Sequence, residues 1–285
     1  MEFLTAPKLH SFLKKVSLQT KPRVFGGSLK TYQREATLHA YPGVKVHVPT
    51  VVDICCSYLR IKATTTEGIF RVSGSLGRMR ELQMYFEKNL ILCPIPFEDL
   101  GLHPADVAGV LTRYLKMLPK AVIPPKFFHL FRQISSQLSD SDQALEYQAL
   151  VNSLPTSNRD LLIYLLDFLS EMAQHAPKTL MDVNNLAKVF QPSILSLSQH
   201  ALVPAEYNHS KEVLEFLILN FTSLTLYEPE SPLPKRRSTS SLIRSWLNRS
   251  NSNSSYDFES PPKTPQASFT FFSRPKSQTS DCKLN

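Results

Sequence analysis

The chain has 285 residues, 42% of them hydrophobic, and its 32 Lys and Arg against 24 Asp and Glu give a formal net charge of +8. That length supports one sizeable domain whose core needs neither metal nor disulfide. The four cysteines, Cys55, Cys56, Cys93 and Cys282, form no C-x-x-C pair and no repeated spacing, which argues against a metal site or a disulfide framework and for a reducing compartment.

Other classes fall away on motif grounds. Lys8, Lys14 and Lys15 are not followed by the apolar run of a signal peptide, and the most apolar stretch, Leu161 to Leu169, is interrupted by Asp167 well short of a bilayer span. A chain neither secreted nor membrane-spanning is expected. The histidines are dispersed without H-E-x-x-H spacing, and there is no G-x-S-x-G elbow, so catalysis by this chain alone is not expected. The positive charge raises nucleic-acid binding, but the bases are scattered and no aromatics are interleaved as stacking platforms, so nucleic acid is not an expected partner.

Residues 1–39 read as a partly flexible N-terminal arm, with a turn at Phe25-Gly-Gly27. From residue 40 to 227 the chain is a succession of helices with few strand signals. Pro49 opens a segment in which Val52, Cys55, Cys56 and Leu59 recur at helical spacing. Ser75 stands at the cap of the next, where Met79, Leu82, Gln83 and Phe86 share a face. Pro104 starts a helix through Val107, Val110, Leu111, Tyr114, Leu115 and Leu118 that Pro119 ends, and Pro124 and Pro125 start a phenylalanine-rich one. A short helix over 142–154 has Leu145, Leu150, Val151 and Leu154 as its apolar positions. After Pro155, Ser157 or Asn158 caps a fully buried element carrying Leu161, Leu162, Leu165, Leu166 and Leu169. Helices at about 179–190 and 205–223 complete an all-α, single-domain bundle.

From Glu228 to Asn285, Pro, Ser, Thr and Asn dominate and apolar periodicity disappears, the composition of a disordered, basic Ser/Pro-rich tail. Lys235-Arg-Arg-Ser and Thr264-Pro265 are phosphorylation contexts, and phosphorylation would erase or invert the tail's charge. Leu242 to Arg249 can form an amphipathic turn that touches a membrane or a regulatory partner; a solvated linker is the alternative.

The chemistry concentrates in Glu67-Gly-Ile-Phe-Arg-Val-Ser-Gly-Ser75. Small residues (Gly68, Ser73, Gly74, Ser75) surround one long cation, Arg71, over an apolar base of Ile69, Phe70 and Val72, so the backbone can be pinned while the guanidinium projects. Its fork of N–H donors suits phosphate oxygens. The local alternative is an arginine paired with a loop carboxylate. No G-x-x-x-x-G-K-[ST] or G-x-G-x-x-G is present to bind a nucleotide, so any phosphate belongs to another molecule.

The run TEGIFRVSGSLGRMRELQMYF resembles the arginine-finger segment of RhoGAP domains, the GTPase-activating modules for Rho-type small GTPases. His103 to Pro119 and Met181-Asp-Val-Asn-Asn-Leu-Ala-Lys-Val-Phe-Gln-Pro192 resemble further segments of that family in the right order, and their wording is most similar to its fungal branch. The resemblance implies a RhoGAP-type multi-helix bundle that stimulates GTP hydrolysis by a GTP-bound Rho-family GTPase. Arg71 would act as the finger in trans, Glu67, Gly68, Ser73 and Gly74 would support its loop, Arg113 and Lys116 would meet the GTPase, and Asn185 would contact the GTPase or help position the finger loop. It also implies no cofactor of the chain's own, since GTP and Mg²⁺ belong to the partner, and a cytoplasmic protein recruited to the cell cortex in control of actin or cell-wall growth.

This chain also departs from the pattern. Many members carry a lysine where Thr112 stands and an arginine where Lys116 stands, and Arg113 points about 100° further round the helix than position 112. Pro-Glu-Pro is altered to Pro119-Lys-Ala121, Lys188 replaces an apolar residue, and Ser193 stands where many members have asparagine. The alternative function is therefore a catalytically weak or inactive GTPase-binding scaffold.

Overall fold

Prolines set the start of half of the helices among the described residues. Their fixed φ suits the first turn, where the missing N–H has no intrahelical acceptor to lose. In the computed structural model, which describes residues 23–89, 95, 97–134, 136–197 and 204–224, Pro49 precedes α1 (Thr50–Lys62) and Pro155 precedes α6 (Thr156–Gln174). Prolines are the first residues of α3 (Pro104–Lys116), α4 (Pro125–Gln133) and α9 (Pro204–Leu219). The remaining helices are α2 (Leu76–Asn89), α5 (Asp140–Ser153), α7 (Ala176–Thr179), α8 (Val183–Ile194) and α10 (Phe221–Leu224). The protein is thus mostly helical, and among the described residues its one sheet is a hairpin of β1 (Gln33–Thr37) and β2 (Lys45–Pro49), antiparallel with Gln33 opposite Pro49 and Thr37 opposite Lys45. Among the described residues no helix is long and apolar enough to cross a membrane.

The core lies where α1, α3, α6 and α8 meet. α3 packs on α1, α2 and α8, while α6 packs on β2, α8 and α9. Leu161, Leu162, Leu165, Leu166 and Leu169 are all buried, as their periodicity predicts, and so is Asp167 between them. That carboxylate is satisfied three times over. It accepts the His39 and Ala40 backbone N–H groups, both at 2.9 Å, and Arg60 Nη2 at 2.6 Å. Arg60 Nε donates to Glu171 Oε2 at 2.7 Å, and its guanidinium lies over the rings of Tyr164 and Phe168 at 5.4 and 5.5 Å. Each hydrogen-bonding group is thereby paired, the condition for burying charge without a large penalty.

Several local expectations change. The hairpin went unread because its alternation, Val46 and Val48 inward against Lys45 and His47 outward, lasts only five residues. Residues 24–39, placed by sequence in the arm, pack on the helices: Val24 and Phe25 are buried and their N–H groups donate to Glu87 at 3.1 and 3.0 Å. Leu145 faces solvent, while Ala144 and Tyr147 take the buried face of α5. α6 begins at Thr156, and Asn158, rather than capping it, donates from Nδ2 to the Val122 carbonyl at 2.8 Å. The helix expected at about 179 begins at Val183, because Leu180 adopts φ +56° and Asp182 caps the new start by accepting Asn185 N–H at 2.7 Å. The phosphorylation contexts, Leu242 to Arg249, Cys93 and Cys282 lie outside the described residues.

Candidate functional site

The loop between α1 and α2 is held at both ends. On its N-terminal side Gly68 N–H donates to the Thr179 carbonyl at 2.7 Å, and the Gly68 carbonyl accepts the N–H groups of Arg71 and Val72 at 2.9 and 2.8 Å. Gly68 has φ +66°, and a Cβ there would stand 2.9 Å from Val72 Cγ2, so both backbone and space require glycine. On the C-terminal side Ser75 N–H donates to Asp106 Oδ1 at 2.7 Å. Gly74 lies on the backbone of α3, where an added Cβ would fall 2.6 Å from Asp106 Cα and 2.7 Å from its N. Both glycines named by sequence are therefore close-approach positions.

The middle of the loop is anchored by Phe70, a bulky residue at φ +71°. Such a conformation costs on the order of 1–3 kcal/mol and persists only where surroundings over-determine it. Here two edge-on aromatic contacts do so, with Phe168 of α6 at 6.0 Å and Phe190 of α8 at 5.1 Å between ring centroids. Ile69 beside it is fully buried. The next residue, Arg71, is exposed and makes no ion pair among the described residues. Its guanidinium lies back over Gly68, where an added Cβ would be 3.6 Å from Nη2 and 3.7 Å from Nε. The alternative of an arginine paired with a loop carboxylate does not describe it.

Other predicted site residues divide in two. Asn185 is near the loop but not on it: its Nδ2 donates to the Leu180 carbonyl at 3.2 Å, one residue from the Thr179 carbonyl that holds Gly68. It thereby braces the turn on which the loop's base rests. Glu67 and Ser73 are exposed, and among the described residues neither side chain is hydrogen-bonded, so Glu67 neither pairs with Arg71 nor binds the loop amides. On α3, Thr112, Arg113 and Lys116 form the outward stripe opposite the buried Val107, Val110, Leu111 and Tyr114, while Gly109 packs on Met79 of α2. Arg113 and Lys116 are exposed with no ion pair among the described residues. The Thr112 hydroxyl is turned into its own helix, donating to the Ala108 and Gly109 carbonyls at 3.1 and 3.0 Å. Lys116 borders a cavity of about 240 Å³ with Lys120, Pro192 and Ser193.

Asp106 is the residue sequence reasoning missed. It is fully buried and accepts three donors: Ser75 N–H, His103 N–H at 2.9 Å and Arg78 Nε at 2.6 Å. Burial works against its charge, but Arg78 and the two amides outweigh that and hold the carboxyl below its usual range. The only sequence signal is its position at N3 of a proline-started helix. Among the described residues no group of three or more His, Cys, Asp or Glu is arranged to hold a metal ion.

Residues 49–199 match the RhoGAP domain. The chain is 37% identical over 190 residues to Rho-GTPase-activating protein 5 of Schizosaccharomyces pombe, covering 66% of this chain and 52% of that protein. It is 34% identical over 214 residues to Rho-GTPase-activating protein BAG7 of Saccharomyces cerevisiae, covering 71% and 52%. The chain thus spans about half the length of these curated relatives. In fold it is similar to the crystal structure of human Rho GTPase activating protein 15, with a TM-score of 0.62 at 20% identity over 79% of this chain and 100% of that one. It is also similar to the BH domain from GRAF, the GTPase regulator associated with focal adhesion kinase, with a TM-score of 0.56 at 24% identity over 64% and 96%. The chain belongs to the RhoGAP domain family.

Proposed function

We propose that this chain stimulates GTP hydrolysis by a GTP-bound Rho-family GTPase, with Arg71 inserted in trans beside the γ-phosphate. The observation that carries the reading is an exposed arginine, without an ion pair among the described residues, on a loop pinned at Gly68, Phe70 and Ser75. In the transition state for GTP hydrolysis, charge spreads over the γ-phosphoryl oxygens, and a guanidinium swung outward from Gly68 would answer it with its fork of N–H donors. Such a finger contributes a factor of ~10³–10⁵, or ~4–7 kcal/mol of barrier. GTP and Mg²⁺ would come with the partner. Arg113 and Lys116 would contact the GTPase from the α3 stripe, and Asn185 from the turn that carries the base of the loop.

Thr112 favours a second reading, a scaffold that binds the GTPase without catalysis, because its hydroxyl is spent on its own helix and supplies no cation at that point of the stripe. Single-turnover phosphate release from GTP-loaded Rho-family GTPases separates the two. The activator accelerates release and loses this with Arg71→Ala; the scaffold retains the GTP-loaded partner while release stays at its intrinsic rate.

A further inference from the structure

We infer that Asp106 is a positioning residue for Arg71, its carboxylate clamping the C-terminal stem of the finger loop to α3 so that the guanidinium is presented in one place. The inference rests on the function proposed for Arg71.

Three observations carry it. The first is the division of labour between the two carboxylate oxygens. A helix-capping aspartate needs only the amide of its own cap residue, here His103 N–H on Oδ2, and can stay in water. This one is fully buried and gives Oδ1 to Ser75 N–H, 31 residues away in sequence and four beyond Arg71. The second is the contact at Gly74, whose Cα lies so close to Asp106 that an added Cβ would fall within 2.5 Å of Oδ1. Loop and helix N-terminus are thus in direct backbone contact. The third is Arg78, from the first turn of α2, whose Nε donates to Oδ2 at 2.6 Å. One carboxylate therefore joins the loop, the start of α2 and the start of α3.

Its position defines its role. Gly68 and Phe70 fix the N-terminal half of the loop against α6, α8 and the Thr179 turn. Asp106 fixes the other half to α3, the helix that bears Thr112, Arg113 and Lys116. It sets the distance between the finger and the surface proposed to dock the GTPase. Without it the loop would hinge after Val72, and the turn that carries Arg71 would be tethered from its N-terminal side alone. The penalty falls on the transition state, because an error of about 1 Å in placement costs ~100-fold in rate while docking contacts elsewhere are kept.

The test uses the full chain as wild type, Asp106→Asn and Arg78→Gln. It measures single-turnover phosphate release at increasing activator concentration, with amide hydrogen exchange of the free proteins alongside. In Asp106→Asn the maximal stimulated rate should fall ~10–100-fold while the half-saturating concentration stays within about twofold, and exchange should quicken at residues 70–75 but not along α3. Arg78→Gln should lower the maximal rate several-fold in the same manner. An unchanged maximal rate in Asp106→Asn, or a rise in half-saturating concentration alone, overturns the inference. Should Asp106→Asn fail to fold, Arg78→Gln decides, and wild-type rate and loop exchange in that variant overturn the proposal. Where wild type stimulates no GTPase, the proposed function has failed, and exchange at 70–75 still settles whether Asp106 clamps the loop.

Discussion

The Arg71 loop and the outward stripe of α3 are neighbours joined through Asp106, yet they are built in opposite ways. The loop places its exposed arginine by backbone hydrogen bonds, two close-approach glycines and a phenylalanine wedged between helices. The stripe is a half-buried threonine and two exposed cations on a regular helix, with nothing among the described residues paired to Arg113 or Lys116. A change in the loop disturbs several buried partners, whereas a change in the stripe disturbs only what docks on it. This accounts for a chain in which Glu67 to Ser75 resembles its family throughout while Thr112 and Lys116 depart from it. It also divides the expected effects: loop changes should act on maximal rate or on folding, stripe changes on affinity.

The largest effect is expected at Arg71. Arg71→Ala should lower the stimulated rate by ~10³-fold or more with little change in stability, because the side chain is exposed and unpaired. Arg71→Lys should recover little, since an ammonium lacks the planar fork. Phe70→Ala comes next and should show in both rate and folding. Two aromatic contacts at ~0.5–1.5 kcal/mol each are lost together with the half-buried ring's apolar burial, so urea unfolding should show a loss of ~2–4 kcal/mol. Gly68→Ala should be at least as damaging, its Cβ meeting Val72 at a strained φ.

Changes in the stripe should be milder and of another kind. Thr112→Lys restores the cation common in the family and should lower the half-saturating concentration by ~3–10-fold at low salt, an advantage that shrinks as salt is raised. Its maximal rate should match wild type. A gain in maximal rate instead would erase the division between loop and stripe.

The smallest effect is in pH. Asp106 has a depressed pKa in the fold, so its contribution to stability is complete above the unfolded value, 3.8, and is lost as pH falls through the lower folded value. Urea unfolding of wild type should weaken below pH ~4, and Asp106→Asn should show a shallower fall over that range while being flat near neutrality.

What the sequence disclosed follows the same division. Helices with long apolar periods or starting prolines were legible, because both signals are local: α3 and the leucines of α6 are examples. The hairpin was not, since five alternating residues do not separate from chance, and neither was Leu145, whose exposure depends on what α5 packs against. Arg71 and its glycines were legible because a projecting cation between small residues is a pattern within one segment. Asp106 was not, because its meaning depends on Ser75 and Arg78, far away in sequence. That Asn185 would help position the loop was expected from the resemblance alone; its partner, the Leu180 carbonyl, has no signal in the sequence.

The most direct test is single-turnover phosphate release from a panel of GTP-loaded Rho-family GTPases, alone, with wild type and with Arg71→Ala. The account predicts that wild type accelerates at least one of them by orders of magnitude and that Arg71→Ala binds that GTPase while leaving release near its intrinsic rate. Acceleration that survives in Arg71→Ala would contradict it.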